Sequence, residues 1–204
     1  MATAVTTPPP KPAEKPYTAA DLLAMPDDGV ERWIIDGRVH EFPGGGEAMT
    51  IRNKYHTATE AQVVFLLKLW LEPHTLPRGQ VHSGEAGVRL RDDPELTVGI
   101  DVVYISPEMA ARNETDEEST ILVGVPTLAV EILSPTDTVE NVHTRWTTLR
   151  GAGIPVVWVI DPYMRTISVL RPGRPPTVLN EQQTLDGGPE LPGFTTPVAR
   201  ILQR

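Results

Sequence analysis

Gly99-Ile100-Asp101-Val102-Val103-Tyr104-Ile105 and Leu128-Ala129-Val130-Glu131-Ile132-Leu133-Ser134 are the two stretches whose reading decides the fold. Both are short runs rich in β-branched residues, the pattern of strands buried in a sheet. Each holds one carboxylate among apolar neighbours. An ionised carboxylate beside Val and Ile costs on the order of several kcal/mol unless it is paired or metal-bound. Two of them on neighbouring strands can converge on one divalent cation. Oxygen ligands suit magnesium or manganese, which keep waters in their shell for attack on phosphate. Taken singly, each residue fits a strand-end charge facing solvent. Taken together, and followed by the polar turn Ser134-Pro135-Thr136-Asp137, they point to a site.

Outward from these strands the chain alternates between periods. A helix from about Thr138 to Ala152, stopped by Gly153, leads into Ile154–Ile160, an apolar run that reads as a strand covered on both faces. Arg165–Leu170 follows as another strand. On the other side, residues 79–91 read as a strand before Val98–Ile105, and Pro107 opens a short helix before a polar, acidic loop over Asn113–Thr120. The longest helix is predicted from about Thr50 to Glu72, with Ala58, Ala61, Val64, Phe65, Lys68, Leu69 and Leu71 mainly at helical spacing and Pro73 as its stop. Asp36-Gly37 between Glu31–Ile35 and Arg38–Phe42 signals a hairpin. Gly44-Gly45-Gly46 ends its second run. Thr18 caps a short helix carrying Ala20, Leu22, Leu23 and Met25. After Leu170 the chain is rich in Pro and Gly, with weak strands near Thr177–Leu179 and at Phe194–Leu202. A helix between the third and fourth core strands allows a parallel crossover, whereas the strands before it suit antiparallel hairpins. The expected fold is a mixed α/β (α+β) sheet with helices packed on it.

Composition sets limits. The 204 residues suit one domain over residues 17–204, behind a Pro-, Thr- and Ala-rich tail over 1–16 that reads as disordered. No apolar run approaches a membrane span, and the N-terminus lacks the apolar stretch of a secretory signal. With no cysteine in the chain, disulfides, zinc–thiolate sites and a cysteine nucleophile are excluded, and a cytoplasmic setting is expected. The formal charge of -9 argues against a broad basic phosphate-binding surface, and so against strong DNA affinity of an isolated chain. It is compatible with a metal site, because the cation inverts the local field of its carboxylates. No P-loop, Ser–His–Asp motif or zinc-type His cluster is present.

The segments Ile34-Ile35-Asp36-Gly37, Ile100–Ser106, Val130-Glu131-Ile132-Leu133-Ser134-Pro135-Thr136-Asp137, Ala152-Gly153-Ile154-Pro155 and Val157–Pro162 occur in an order and spacing that resembles the Uma-two family of endonuclease-type proteins. That family sits in the PD-(D/E)XK, restriction-endonuclease-like superfamily, and the resemblance covers roughly residues 17–202. It implies an αβββαβ core behind the N-terminal hairpin, with Asp101 and Glu131 as metal ligands on adjacent strands. It implies magnesium or manganese as cofactor and DNA, a duplex by preference, as substrate. The superfamily's lysine, two residues after the glutamate, is replaced here by Leu133. The family's usual substitute, a lysine on the following helix, corresponds to Arg145. Arginine stays protonated and cannot serve as general base, but it can hold phosphate. The family's acidic residue before the Ile-Asp-Gly turn corresponds to Trp33. Glu31 lies two residues earlier on the same face and is a candidate replacement, against the plain reading of a solvent-facing Glu.

The remaining candidates are weaker. His56 shares a helix face with Asn53 and lies four residues before Glu60, so it is read either as a phosphate contact or a support of the metal, or as half of a helix-surface pair. Glu85 stands on the strand expected to pair with that of Asp101. Asp161 reads as a turn residue, and of His143 and Arg145 only the second is expected inward. Trp70, Trp146 and Trp158 are expected in the core. The function expected is metal-dependent hydrolysis of DNA phosphodiesters, with Asp101, Glu131, Arg145 and Glu31 in the reaction and His56 and Arg145 on substrate. A homodimer would serve to cut both strands. The alternatives are a catalytically idle binding or assembly module that keeps the fold, and a hydrolase of another phosphate ester.

Overall fold

The computed structural model describes residues 15–26, 28–42, 53–116 and 119–203. Most of the Pro-rich tail and the Gly44–Gly46 run lie outside these. Pro16 belongs to the folded part, since a Cβ on Gly37 would come within 2.9 Å of the Pro16 Cβ.

In chain order the elements are α1 (Ala19–Leu23), β1 (Glu31–Ile35), β2 (Arg38–Phe42), α2 (Lys54–Leu71), β3 (Gln80–Arg91), β4 (Leu96–Ile105), α3 (Pro107–Glu114) and β5 (Leu122–Val123). Then follow β6 (Leu128–Ile132), α4 (Val139–Gly151), β7 (Val156–Asp161), β8 (Thr166–Leu170), β9 (Thr177–Asn180), β10 (Thr184–Asp186), β11 (Thr195–Pro197) and α5 (Val198–Ile201). The main sheet runs β2-β1-β4-β6-β7-β8-β9, with β3 on the other edge of β4 and β5 beside β3. As the sequence led us to expect, β3, β4 and β6 are antiparallel neighbours. β6 and β7 are parallel, joined by the α4 crossover.

Two features of β4 position everything else. β3 pairs along its whole length on one edge, while the opposite edge is shared by two strands. β1 pairs near its start, at Ile34↔Thr97, and β6 near its end, from Val102↔Val130 to Tyr104↔Leu128. Between these contacts, over Val98–Asp101, the ladder on that edge is open, and Asp101 lies in the gap. Directly across on β3, the register slips between Ser83 and Ala86. There Gly84 and Glu85 stand opposite Asp101 alone, one residue in excess, and both take positive φ (84° and 58°). Such a bulge bends the strand and re-aims a side chain.

Two apolar clusters cover the sheet. On one face α2 (Val63, Leu66, Leu67) and α5 pack on Val130, Trp158 and Ile160. On the other, Leu149 of α4 and the hairpin residues Trp33 and Phe42 pack on Val98, Ile100 and Ala129. Because side chains alternate along a strand, Glu131 shares the face of Ala129 and looks toward α4.

Some expectations need correction. The buried seam of α2 is His56, Thr59, Val63, Leu66, Leu67 and Leu71, whereas Ala58, Ala61, Phe65, Lys68 and Leu69 are exposed. Apolar residues encircle this helix, so periodicity does not select its inner face. The helix begins at Lys54, where the Asn53 side chain accepts the N–H groups of Tyr55 and His56, both at 3.0 Å. Asn113 and Glu114 finish α3 rather than open a loop. The Phe194–Leu202 run is a three-residue strand followed by one helical turn, not one strand. Only Trp158 of the three expected core tryptophans is fully enclosed; Trp70 and Trp146 sit half-buried at the margins.

Candidate active site

The open edge of β4 forms the floor of a cavity of about 520 Å³. Its carboxylates reach it by different routes. Asp101 projects from the gap in β4, and its Oδ2 accepts the backbone N–H of Ile132 at 2.7 Å. A side chain thus completes the ladder where β6 parts from β4. Its other oxygen, Oδ1, lies 3.1 Å from Nε2 of His56 on α2. The far side of that imidazole, Nδ1, is 3.8 Å from Glu60. This is an ion-pair distance and too long for a hydrogen bond. His56 is 2% exposed, so it is no surface residue, and it spans the space between the helix and Asp101.

Glu131 arrives from the penultimate position of β6, 4% exposed. Burial, followed by the neighbouring charge of Asp101, pushes its carboxyl well above the usual carboxylate range, with Arg145 opposing the shift. Its Oε1 is buried and accepts no hydrogen bond. Its Oε2 takes Nη1 of Arg145 at 3.4 Å.

Arg145 comes from the second turn of α4, on the same inward side as Leu149. Its Nη2 donates to Asp137 Oδ1 at 2.5 Å and lies 3.6 Å from Glu31 Oε2. The guanidinium carbon sits 5.2 Å from the centre of the Phe42 ring, within cation–π range. Burial alone would depress this guanidinium. The carboxylates of Glu31, Glu131, Asp137 and Asp101 together raise it above its ordinary value, so it is a fixed cation.

Glu31 reaches the site from β1, while Trp33, two residues on, is wholly buried against Phe42. Glu85 lines the same cavity from the β3 bulge. Gly99 leaves room for it, since a Cβ there would lie 3.3 Å from Glu85 Oε2. Sequence reasoning passed over Asp137 as a site residue. The turn Ser134–Asp137 folds it back, with the Ser134 N–H donating to Asp137 Oδ2 at 2.7 Å and the Asp137 N–H to the Ser134 carbonyl at 3.1 Å. The signal available was its place eight residues before Arg145, at the mouth of the crossover. Asp161 and His143 stay outside. Asp161 binds the N–H groups of Tyr163 and Met164, and His143 stacks on Trp146 on the exposed side of α4.

A family model described as "Putative restriction endonuclease" matches residues 19–199. The chain belongs to the Uma2 family. Among solved structures, this Uma2 chain resembles a putative nuclease belonging to DUF820 from Anabaena variabilis. That likeness has a TM-score of 0.70 at 17% identity, over 92% of this chain and 98% of the other, and it shows a shared nuclease-like fold. No curated protein matches the chain. No helix among the described residues is long and apolar enough to cross a membrane.

The donor set of this Uma2 site is oxygen-rich and free of thiols, as hard cations require. Among the described residues no three His, Asp or Glu side chains stand close enough to hold an ion unaided. Magnesium is ordinarily held by one or two carboxylates, with waters and substrate phosphate completing its shell. The unbonded, buried Oε1 of Glu131 is the atom that such an ion would satisfy. The residues present therefore fit a divalent cation shared with a phosphate.

Proposed function

We propose that this protein is a divalent-metal-dependent nuclease that hydrolyses phosphodiester bonds in DNA. The observation that carries this reading is the buried pair Asp101 and Glu131 at the open edge of β4, with one Glu131 oxygen lacking any donor. Asp101 and Glu131 would hold magnesium or manganese. When bound, the ion supplies Lewis acidity at the scissile phosphate and acidifies the attacking water.

The protein's own groups then have separate tasks. The Ile132 N–H and His56 fix the Asp101 carboxylate from two sides. Arg145 offers a fixed positive charge to a phosphate oxygen. Arginine does not give up its proton, so it stabilises charge and takes no part as base. Asp137 and Glu31 orient it. The net charge of -9 repels a polyanion, so binding of DNA would depend on the cation and, with few basic groups to displace counterions, would weaken only gently with salt. Cutting both strands of a duplex would call for two copies about a twofold axis. A sizing measurement showing only monomers on DNA would remove that part.

The test is plasmid cleavage with magnesium or manganese by the native chain, Asp101→Ala and Glu131→Ala, each checked for folding. Cleavage that is lost in both variants supports the proposal. Undiminished cleavage in either one sinks it. The guanidinium where the family usually has lysine favours a second reading, an idle nuclease-fold module. Activity that appears only in Arg145→Lys would establish that reading instead.

A further inference from the structure

We propose that Arg145 is a tethered internal cation that shares the Glu131 carboxylate with the divalent ion, and that a substrate phosphate draws it off. Metal binding and phosphate binding would then strengthen each other. This rests on the metal-site reading given above.

The contacts of Arg145 are unequal. Its Nη2 is held close by Asp137 at 2.5 Å, while its Nη1 reaches Glu131 Oε2 at only 3.4 Å. Asp137 is itself anchored by the Ser134 N–H, so it acts as the leash. The Glu131 contact is long and is the one to be given up. Two buried atoms await partners of opposite kind. The Arg145 Nε–H has no acceptor, and Glu131 Oε1 has no donor. A phosphate oxygen satisfies the first and a cation the second. A guanidinium has five N–H donors in a rigid fork, so it can keep Asp137 while turning others to phosphate. A lysine ammonium is a point charge without that fork. While Arg145 leans on Glu131, it opposes entry of a second cation. Once it leans on phosphate, Glu131 offers both oxygens. By linkage, each ligand must then raise the affinity for the other by the same factor.

The experiment is a manganese titration of the native chain, Arg145→Gln, Arg145→Lys and Glu131→Gln. Each is titrated alone and with a phosphorothioate DNA duplex, after subtracting binding to the duplex alone and confirming the fold by thermal melting. For the native chain the duplex should tighten manganese binding by about tenfold or more, within the usual range of coupling. Arg145→Gln should bind manganese tightly without the duplex and gain little from it. If that variant does not fold, Arg145→Lys serves, and its gain from the duplex should be clearly smaller than the native one. Equal gains in native and Arg145 variants, or no gain in the native chain, overturn the proposal. If Glu131→Gln alone then abolishes manganese binding, the metal site itself stands. No manganese binding by any form, with or without duplex, overturns both.

Discussion

His56 Nε2 lies 3.1 Å from Asp101 Oδ1, so a residue of the long helix holds a carboxylate of the sheet from across the cavity. Groups that orient a metal ligand typically contribute about 10- to 100-fold in metal affinity. His56→Ala should therefore weaken manganese binding by a factor in that range, and His56→Gln, which keeps a donor, by less. Isothermal calorimetry checks this. Unaltered affinity in His56→Ala would reduce His56 to a packing residue of α2.

Glu131 makes stability depend on pH in an unusual direction. Its folded-state carboxyl titrates well above the ordinary value of 4.5, chiefly through burial and then through Asp101. Between the unfolded and the folded pKa the native state holds more protons than the unfolded one, so stability falls as pH rises through that window. Glu131→Gln removes the loss. In a chelating buffer the variant and the native chain should melt alike at pH 4, and the variant should melt progressively higher as pH climbs above that. Parallel melting curves at every pH would mean that Arg145 fully offsets the burial.

The left-handed backbone of Glu85, at φ 58°, costs about 1 kcal/mol for a residue with a Cβ. Glu85→Gly relieves that strain, while the backbone entropy of glycine and the lost Glu85 contacts offset part of it, so unfolding stability should rise by less than about 1 kcal/mol. It should also lower cleavage, because the side chain aimed into the cavity is gone. Urea unfolding and a cleavage assay on one preparation test the pair of outcomes. A gain in stability with full activity would leave Glu85 as a consequence of the bulge alone.

The family resemblance implies an acid at the position of Trp33, and the structure shows why an acid cannot simply be put there. The indole is 0% exposed, with its ring 5.1 Å from that of Phe42. Trp33→Glu would both open the core and bury a charge, and should cost more than about 4 kcal/mol. Glu31→Gln, which alters a half-buried side chain 3.6 Å from Arg145, should cost far less while lowering cleavage. Chemical denaturation separates the two. Equal losses would argue that Glu31 is a structural partner rather than a replacement acid.

Much of this was legible beforehand. β4 and β6 announce themselves as apolar runs, and a carboxylate inside such a run has few physical excuses. The two-residue spacing from Trp33 to Glu31 was enough to place both on one face. The inner side of α2 was not legible, because Phe65 and Leu69 advertise apolar character yet face solvent, while the seam carries the polar His56 and Thr59. Only the position of Asp101 across the cavity explains a buried histidine there. Asp137 was hidden for another reason. A Ser-Pro-Thr-Asp turn looks complete as a turn, and only the return of α4 brings Arg145 back onto it. The bulge at Gly84-Glu85 depends on pairing with β4 and leaves little local trace.

The shared edge of β4 also sets an order of events at synthesis. Glu31 leaves the ribosome 100 residues before Glu131, and Asp101 emerges between them. The hairpin can form early, but its carboxylate has nothing to join until β6 and then α4 have docked. Such long-range closures are slow steps in folding. A nascent or truncated chain lacking α4 therefore lacks Arg145, the proposed seat for a phosphate. Whatever chemistry this cavity performs is withheld until the last crossover is in place, so assembly itself acts as a safety catch.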